Sequence, residues 1–105
     1  MKSGKNIVFL GMMGSGKTSI GYMVSKKLNL DFFDIDNLIE KKLDLNISKI
    51  FEIKGEKFFR EFEEKTTLDI LKKKNVVISL GGGAFLNRNI RTEILKNHLS
   101  FWLKN

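Results

Sequence analysis

The order of apolar runs along the chain predicts an α/β fold, a parallel sheet covered by helices on both faces. Three observations carry this reading. Residues 7–10 and 76–80 are short apolar runs, composed like strands buried on both sides. Segments with apolar residues three and four positions apart alternate with them, as amphipathic helices require. The first run opens directly onto Gly11-Met12-Met13-Gly14-Ser15-Gly16-Lys17-Thr18. This is a full match to the phosphate-binding pattern G-x-x-x-x-G-K-S/T, whose setting is a strand before and a helix after.

The first strand is expected over 6–10, the loop over 11–16 and a helix over 17–28, with Ile20, Met23, Val24 and Leu28 on its apolar face. Asn29 suits a helix terminator. Leu30-Asp31-Phe32-Phe33 reads as a short second strand ending at Asp34-Ile35-Asp36, and a short helix follows from Asn37 to about Leu43. Ser48 is a candidate cap for another helix that Gly55 breaks. The longest periodic segment runs from Glu56 to Lys74, with Phe59, Phe62, Thr66 and Ile70 at spacings of three, four and four, and Asn75 ends it. After the strand at 76–80 come Gly81-Gly82-Gly83, then a helix capped by Asn87 and carrying Ile90, Ile94 and Leu95. His98 reads as a cation at its end, and 99–103 as a fourth strand.

The 105 residues allow one domain. A composition 42% hydrophobic and 30% charged is that of an ordinary soluble globular protein. No apolar run approaches the ~20 residues of a membrane span, and no signal-peptide pattern opens the chain. The absence of cysteine excludes disulfides and thiolate metal sites. A cytoplasmic protein without membrane contact is expected. The formal charge of +7 is spread among interleaved carboxylates, without the aromatic-and-basic platform of single-strand binders. Nucleic acid is therefore not an expected partner, and the charge is read as attracting small anions.

In the loop, successive backbone N–H groups form a nest for phosphate oxygens. The residues expected to bind the phosphates of a nucleoside triphosphate are Gly14, Ser15, Gly16, Lys17, Thr18 and Ser19. Lys17 would reach the β- and γ-phosphates and Thr18 would ligate Mg²⁺. The phosphates would sit at a helix N-terminus, where the dipole favours anions.

Ligands of open parallel sheets gather beyond the carboxyl ends of the strands. Asp34 and Asp36 fall on that edge, one suited to a metal through water and the other to accepting a proton from an attacking hydroxyl. The competing reading is structural, with Asp36 capping the helix that starts at Asn37. Arg60, with Glu63 and Glu64 three and four positions on, reads from spacing alone as a surface ion pair. The alternative is a guanidinium fork for a substrate carboxylate. Three consecutive glycines are costly to order; they form either a tight turn or a place where a ligand lies against backbone N–H groups.

Taken together, GMMGSGKTSIG at 11–21, FFDID at 32–36, IFEIKGEKFFREFEE at 50–64 and ISLGGGAF at 78–85 resemble shikimate kinase, in that family's order and at about its spacing. The resemblance implies a three-layer α/β/α phosphate-loop kinase fold with strand order 2-3-1-4, and transfer of the ATP γ-phosphate to the 3-hydroxyl of shikimate. It implies Lys17 and Asp36 as catalytic residues, and Thr18 with Asp34, through water, at Mg²⁺. It implies Asp36, Arg60, Glu63, Gly82 and Gly83 at shikimate, with Ser79 near the metal's water shell. For Arg60 this reverses the preference that spacing alone gives.

Members of that family are typically longer. The resemblance places the fifth strand, the closing helix and a lid with its arginine beyond Asn105. Residues 1–105 are thus expected to form a single nucleoside-triphosphate-binding kinase domain, incomplete at its C-terminal side and monomeric. The alternative is a fragment that binds nucleotide or shikimate without turning it over.

Overall fold

The computed structural model describes residues 4–11 and 17–103, the side chains of Lys17 and Thr18 excepted. In chain order the elements are β1 (Ile7–Gly11), α1 (Lys17–Leu28), β2 (Phe32–Asp34), α2 (Ile35–Leu43), α3 (Ile47–Lys54), α4 (Glu56–Leu71), β3 (Val77–Ser79), a 3₁₀ turn (Ala84–Leu86), α5 (Arg88–Asn97) and β4 (Leu99–Leu103). The loop expected at 12–16 lies outside the described residues.

The four strands form one parallel sheet in the order β2-β3-β1-β4, the order the sequence resemblance implies. Register is set by the two faces of each strand. Ile7, Phe9 and Val77 face one side, where Val24 of α1 packs with Leu30, Phe32 and Leu103. Val8, Leu10, Ile78 and Leu80 face the other, against Ile35, Ile39, Ile50, Phe59, Ile90 and Ile94 from α2 to α5. A slip of one residue would exchange these sets. One helix therefore covers the first face and four cover the second, which makes the second the main core.

Local chemistry fixes the helix ends. Asn29 and Asn75 take left-handed backbone angles, φ 57° and 58°. Asn46, rather than Ser48, caps α3 by accepting from the Lys49 N–H at 2.9 Å. Asn87 caps α5 by accepting from the Ile90 N–H at 3.0 Å. Gly55, at φ 89°, ends α3 and begins α4. That α4 stops at Leu71, not at Lys74, follows from an interaction absent from any local pattern. The fully buried Asn6 side chain donates to the carbonyls of Leu71 and Lys73 at 3.3 and 2.9 Å. Its Oδ1 accepts from the Val76 N–H at 3.0 Å.

His98 also departs from its sequence reading as a helix-end cation. Its Nδ1 accepts from the Asn6 N–H at 3.2 Å, while Nε2 lies 2.9 Å from Glu93 Oε2. An Nδ1 that accepts carries no proton, so the ring is the neutral tautomer with its proton on Nε2, donated to Glu93.

Candidate functional site

The strand register brings the sheet's carboxyl ends together. Phe9, Ser79 and Asp34 are aligned across β1, β3 and β2, and α1 begins at Lys17, a few residues beyond the end of β1. Ser19 is exposed in the first turn of α1. Gly14, Ser15 and Gly16 lie outside the described residues.

The two aspartates have separate surroundings. Asp34, not Asp36, caps α2: at φ −99° and ψ 113° it accepts from the Asn37 N–H at 3.2 Å. Asp36 is already helical and lies against the backbone of Gly81. A Cβ added there would stand 2.5 Å from Asp36 Oδ1.

On α4, Arg60 Nη1 donates to Glu63 Oε1 at 2.9 Å. This is not the surface pair that spacing suggests, because the Glu63 side chain is 3% exposed and that of Arg60 41%. Burial pushes the Glu63 carboxyl above its ordinary value, against the lowering effect of the hydrogen bond and charge of Arg60, and nearby Asp36 pushes it further the same way. The guanidinium is also seated over the rings of Phe59 and Phe51, 5.3 and 5.9 Å from their centroids. Its outer nitrogens occupy the space beside Gly83, both 2.8 Å from where a Cβ would be.

The triplet therefore has a division of labour. Gly81 and Gly83 admit Asp36 and Arg60, whereas nothing among the described residues lies within 4 Å of a Cβ on Gly82. None of the three needs a left-handed backbone. Among the backbone hydrogen bonds of the described residues, the N–H groups of Gly82 and Gly83 donate none.

Asp36, Arg60, Glu63 and the three glycines line one cleft of 190 Å³, with Ile47, Phe51 and Phe59 as its apolar wall. A planar cation, backbone donors and a carboxylate on one apolar floor suit a small ligand with one carboxylate and several hydroxyls.

The shikimate kinase family model matches residues 13–105, nearly the whole chain. The chain belongs to the shikimate kinase family. It is 51% identical to the shikimate kinase of Bacillus subtilis over 96 residues, which are 90% of this chain and 52% of that protein. With the shikimate kinase of Caldicellulosiruptor saccharolyticus it shares 48% over 99 residues, 94% of this chain and 58% of that protein. Among solved structures, the Acinetobacter baumannii shikimate kinase in complex with shikimate superposes with a TM-score of 0.94 at 32% identity, over 99% of this chain and 58% of that one. The Aquifex aeolicus shikimate kinase gives 0.87 at 37%, over 92% and 58%. The chain spans about half the length of the curated relatives it matches.

Sequence reasoning missed the apolar wall. Phe59 reads as a helix-face residue; its ring and that of Phe51, tilted by 32° with centroids 4.7 Å apart, both present faces to Arg60. The adjacency of Phe59 to Arg60 was the available signal. It also missed Glu64, which bonds to Asn87 rather than pairing with Arg60.

Proposed function

We propose that this chain forms the acceptor site and phosphate-binding half of a shikimate kinase, which transfers the ATP γ-phosphate to the 3-hydroxyl of shikimate. The observation that carries this reading is the convergence of Arg60, Asp36 and the Gly82–Gly83 amides on one cleft, in a chain of that family. Arg60, held by Glu63 and two rings, offers its remaining N–H groups to the shikimate carboxylate in a preset orientation. Asp36 accepts hydrogen bonds from the shikimate hydroxyls and takes the proton of the attacking one. The Gly82 and Gly83 amides donate to the ring substituents. Lys17, opening α1, would bind the ATP phosphates together with Gly14, Ser15, Gly16, Thr18 and Ser19. Phosphoryl transfer is chiefly positioning and charge neutralisation, which these groups supply.

A divalent cation, proposed as Mg²⁺, would be held by Thr18 and, through water, by Asp34. The donors at this edge are hard oxygens, as Mg²⁺ requires. Ser79 Oγ, aligned with Asp34, is buried with no hydrogen-bond partner among the described residues, which fits a hydrated ion nearby. The cation would neutralise charge on the transferring phosphate. In this reading the protein is cytoplasmic, monomeric and independent of nucleic acid. No helix among the described residues is long and apolar enough to cross a membrane.

A second reading, binding without turnover, has its own observation. Among the described residues Arg60 is the arginine lining the cleft, and Arg91 is engaged by the carbonyls of Phe85 and Leu86. The test is ADP release with ATP, Mg²⁺ and shikimate. Shikimate-dependent turnover that disappears in Lys17→Met supports the kinase. Shikimate or nucleotide binding without turnover selects the second reading, and binding of neither removes both.

A further inference from the structure

We propose that Glu64 is a positioning residue for the shikimate cleft, acting through Asn87 on the segment that carries Gly82 and Gly83. The inference rests on the function proposed above. Glu64 follows Glu63 on α4 but turns away from the cleft. Its Oε1 accepts from Asn87 Nδ2 at 2.6 Å and its Oε2 from Asn89 Nδ2 at 3.3 Å. Besides accepting from the Arg91 N–H at 2.9 Å through its carbonyl, Asn87 is used three ways. Its Nδ2 reaches α4, its Oδ1 caps α5 through the Ile90 N–H, and its own N–H donates to Ala84 O at 3.1 Å.

The strap between β3 and α5 is thus tied at both ends. At its start the Leu80 N–H donates to Phe9 O at 3.1 Å, and at its end Asn87 is held by the helix that bears Arg60. Arg60, Glu64 and Asn87 also border a second cavity of 470 Å³, together with Lys57 and Glu61. Since Arg60 fills the space beside Gly83, moving the strap relative to α4 moves the carboxylate fork and the amide donors apart. A misplacement of that kind weakens a multipoint ligand more than any single contact suggests. Arg91, which donates to Phe85 O and Leu86 O at 3.3 Å, ties the strap to α5 but not to α4. Among the side-chain hydrogen bonds of the described residues, the Glu64–Asn87 bond is the one that links the strap to α4.

The tie differs from a general charge effect in sign. A carboxylate near an anion site repels the anion, so if charge were all that mattered, removing it would tighten binding. If positioning matters, Glu64→Ala weakens it and Glu64→Gln, whose amide oxygen still accepts from Asn87, restores it. Asn87→Asp is the reciprocal variant. It keeps the helix cap but replaces the Nδ2 donor with an oxygen facing Glu64.

The experiment measures shikimate and ADP dissociation constants by calorimetry on the 105-residue chain and these three variants, with a thermal melt of each. Glu64→Ala and Asn87→Asp are expected to weaken shikimate by about fivefold or more, the equivalent of one lost hydrogen bond, with ADP affinity unchanged. Glu64→Gln is expected to stay close to the parent. Equal affinities in parent and Glu64→Ala overturn the proposal, as do equal losses in Glu64→Ala and Glu64→Gln. Parallel losses for shikimate, ADP and melting temperature overturn it too, by showing a merely structural role. If the parent binds ADP but not shikimate, the proposed function fails first and the inference falls with it.

Discussion

The guanidinium of Arg60 stands where the Cβ of any other residue at position 83 would have to be, with both outer nitrogens 2.8 Å from that point. Because the obstacle is the far end of a flexible side chain, Gly83→Ala is accommodated by moving Arg60 rather than by unfolding. The expected outcome is a small drop in melting temperature and a loss of shikimate affinity of roughly tenfold or more, as a charge-assisted contact is misplaced. Gly81→Ala should act likewise through Asp36, whose Oδ1 lies 2.5 Å from the added carbon. Gly82→Ala meets no atom of the described residues within 4 Å, so a loss it causes is expected to read contact with the ligand itself. Calorimetry of the three variants side by side checks the division.

Arg60→Lys is expected to behave as a severe change. Lysine offers a point charge where the fork faces a carboxylate, and it cannot keep both the Glu63 contact and a bidentate ligand contact in one geometry. Shikimate binding should weaken by roughly ten- to a hundredfold, from the ~1.5–3 kcal/mol of a charged hydrogen bond. The effect on stability should be smaller, because the Arg60 side chain is 41% exposed and water screens it. Unchanged affinity would argue against Arg60 as the carboxylate receptor.

The outline of the fold was legible because its signals are local: apolar runs for β1 and β3, periodicity for α4, Asn87 before α5. The apolar face expected for α1 was wrong: Ile20, Met23 and Leu28 are exposed, and Val24 packs on the sheet beside buried Gly21 and Ser25. Errors came where two local candidates compete. Asp34 and Asp36 are both good caps, and only the extended backbone of Asp34 decides between them; Asn46 and Ser48 pose the same choice. The site was legible as a set of residue types, whereas the use of each was not. The three glycines read as a ligand seat, yet two of them exist to admit side chains from α2 and α4, segments distant in sequence. No periodicity or turn rule reports such an approach, nor that Glu63 is buried while Glu64 serves the strap.

Glu63 gives the molecule a pH dependence of defined sign. Its carboxyl in the fold lies above the ordinary 4.5, chiefly through burial. In the window above 4.5 the folded chain holds a proton that the unfolded chain has released, so the unfolding free energy falls as pH rises. The contribution is fully present below 4.5 and is lost through the raised value. Glu63→Gln should remove this slope, so its melting temperature relative to the parent should rise with pH across the window. Shikimate brings a second anion to Arg60 and should raise the Glu63 value further. Binding in that window is then expected to take up a fraction of a proton, which calorimetry in buffers of different ionisation enthalpy detects. Proton release would overturn this account.

The most damaging single change should lie far from the cleft, at Asn6. Its side chain, 0% exposed, satisfies the Val76 N–H and the carbonyls of Leu71 and Lys73. Its backbone accepts from Leu99 N and donates to His98 Nδ1. One residue thus joins the starts of β1, β3 and β4 to the end of α4. Asn6→Ala would leave an N–H and two carbonyls without partners, at about 1–3 kcal/mol for each that stays dry. A loss of about 3 kcal/mol corresponds to a melting temperature lower by roughly 10–20 °C in a domain of this size. Asn6→Asp separates the two halves of the role. It keeps the acceptor for Val76 but turns a negative oxygen toward two carbonyls, so it should be at least as destabilising as alanine. A milder effect for aspartate would mean that the Val76 bond carries most of the stability and the link to α4 little.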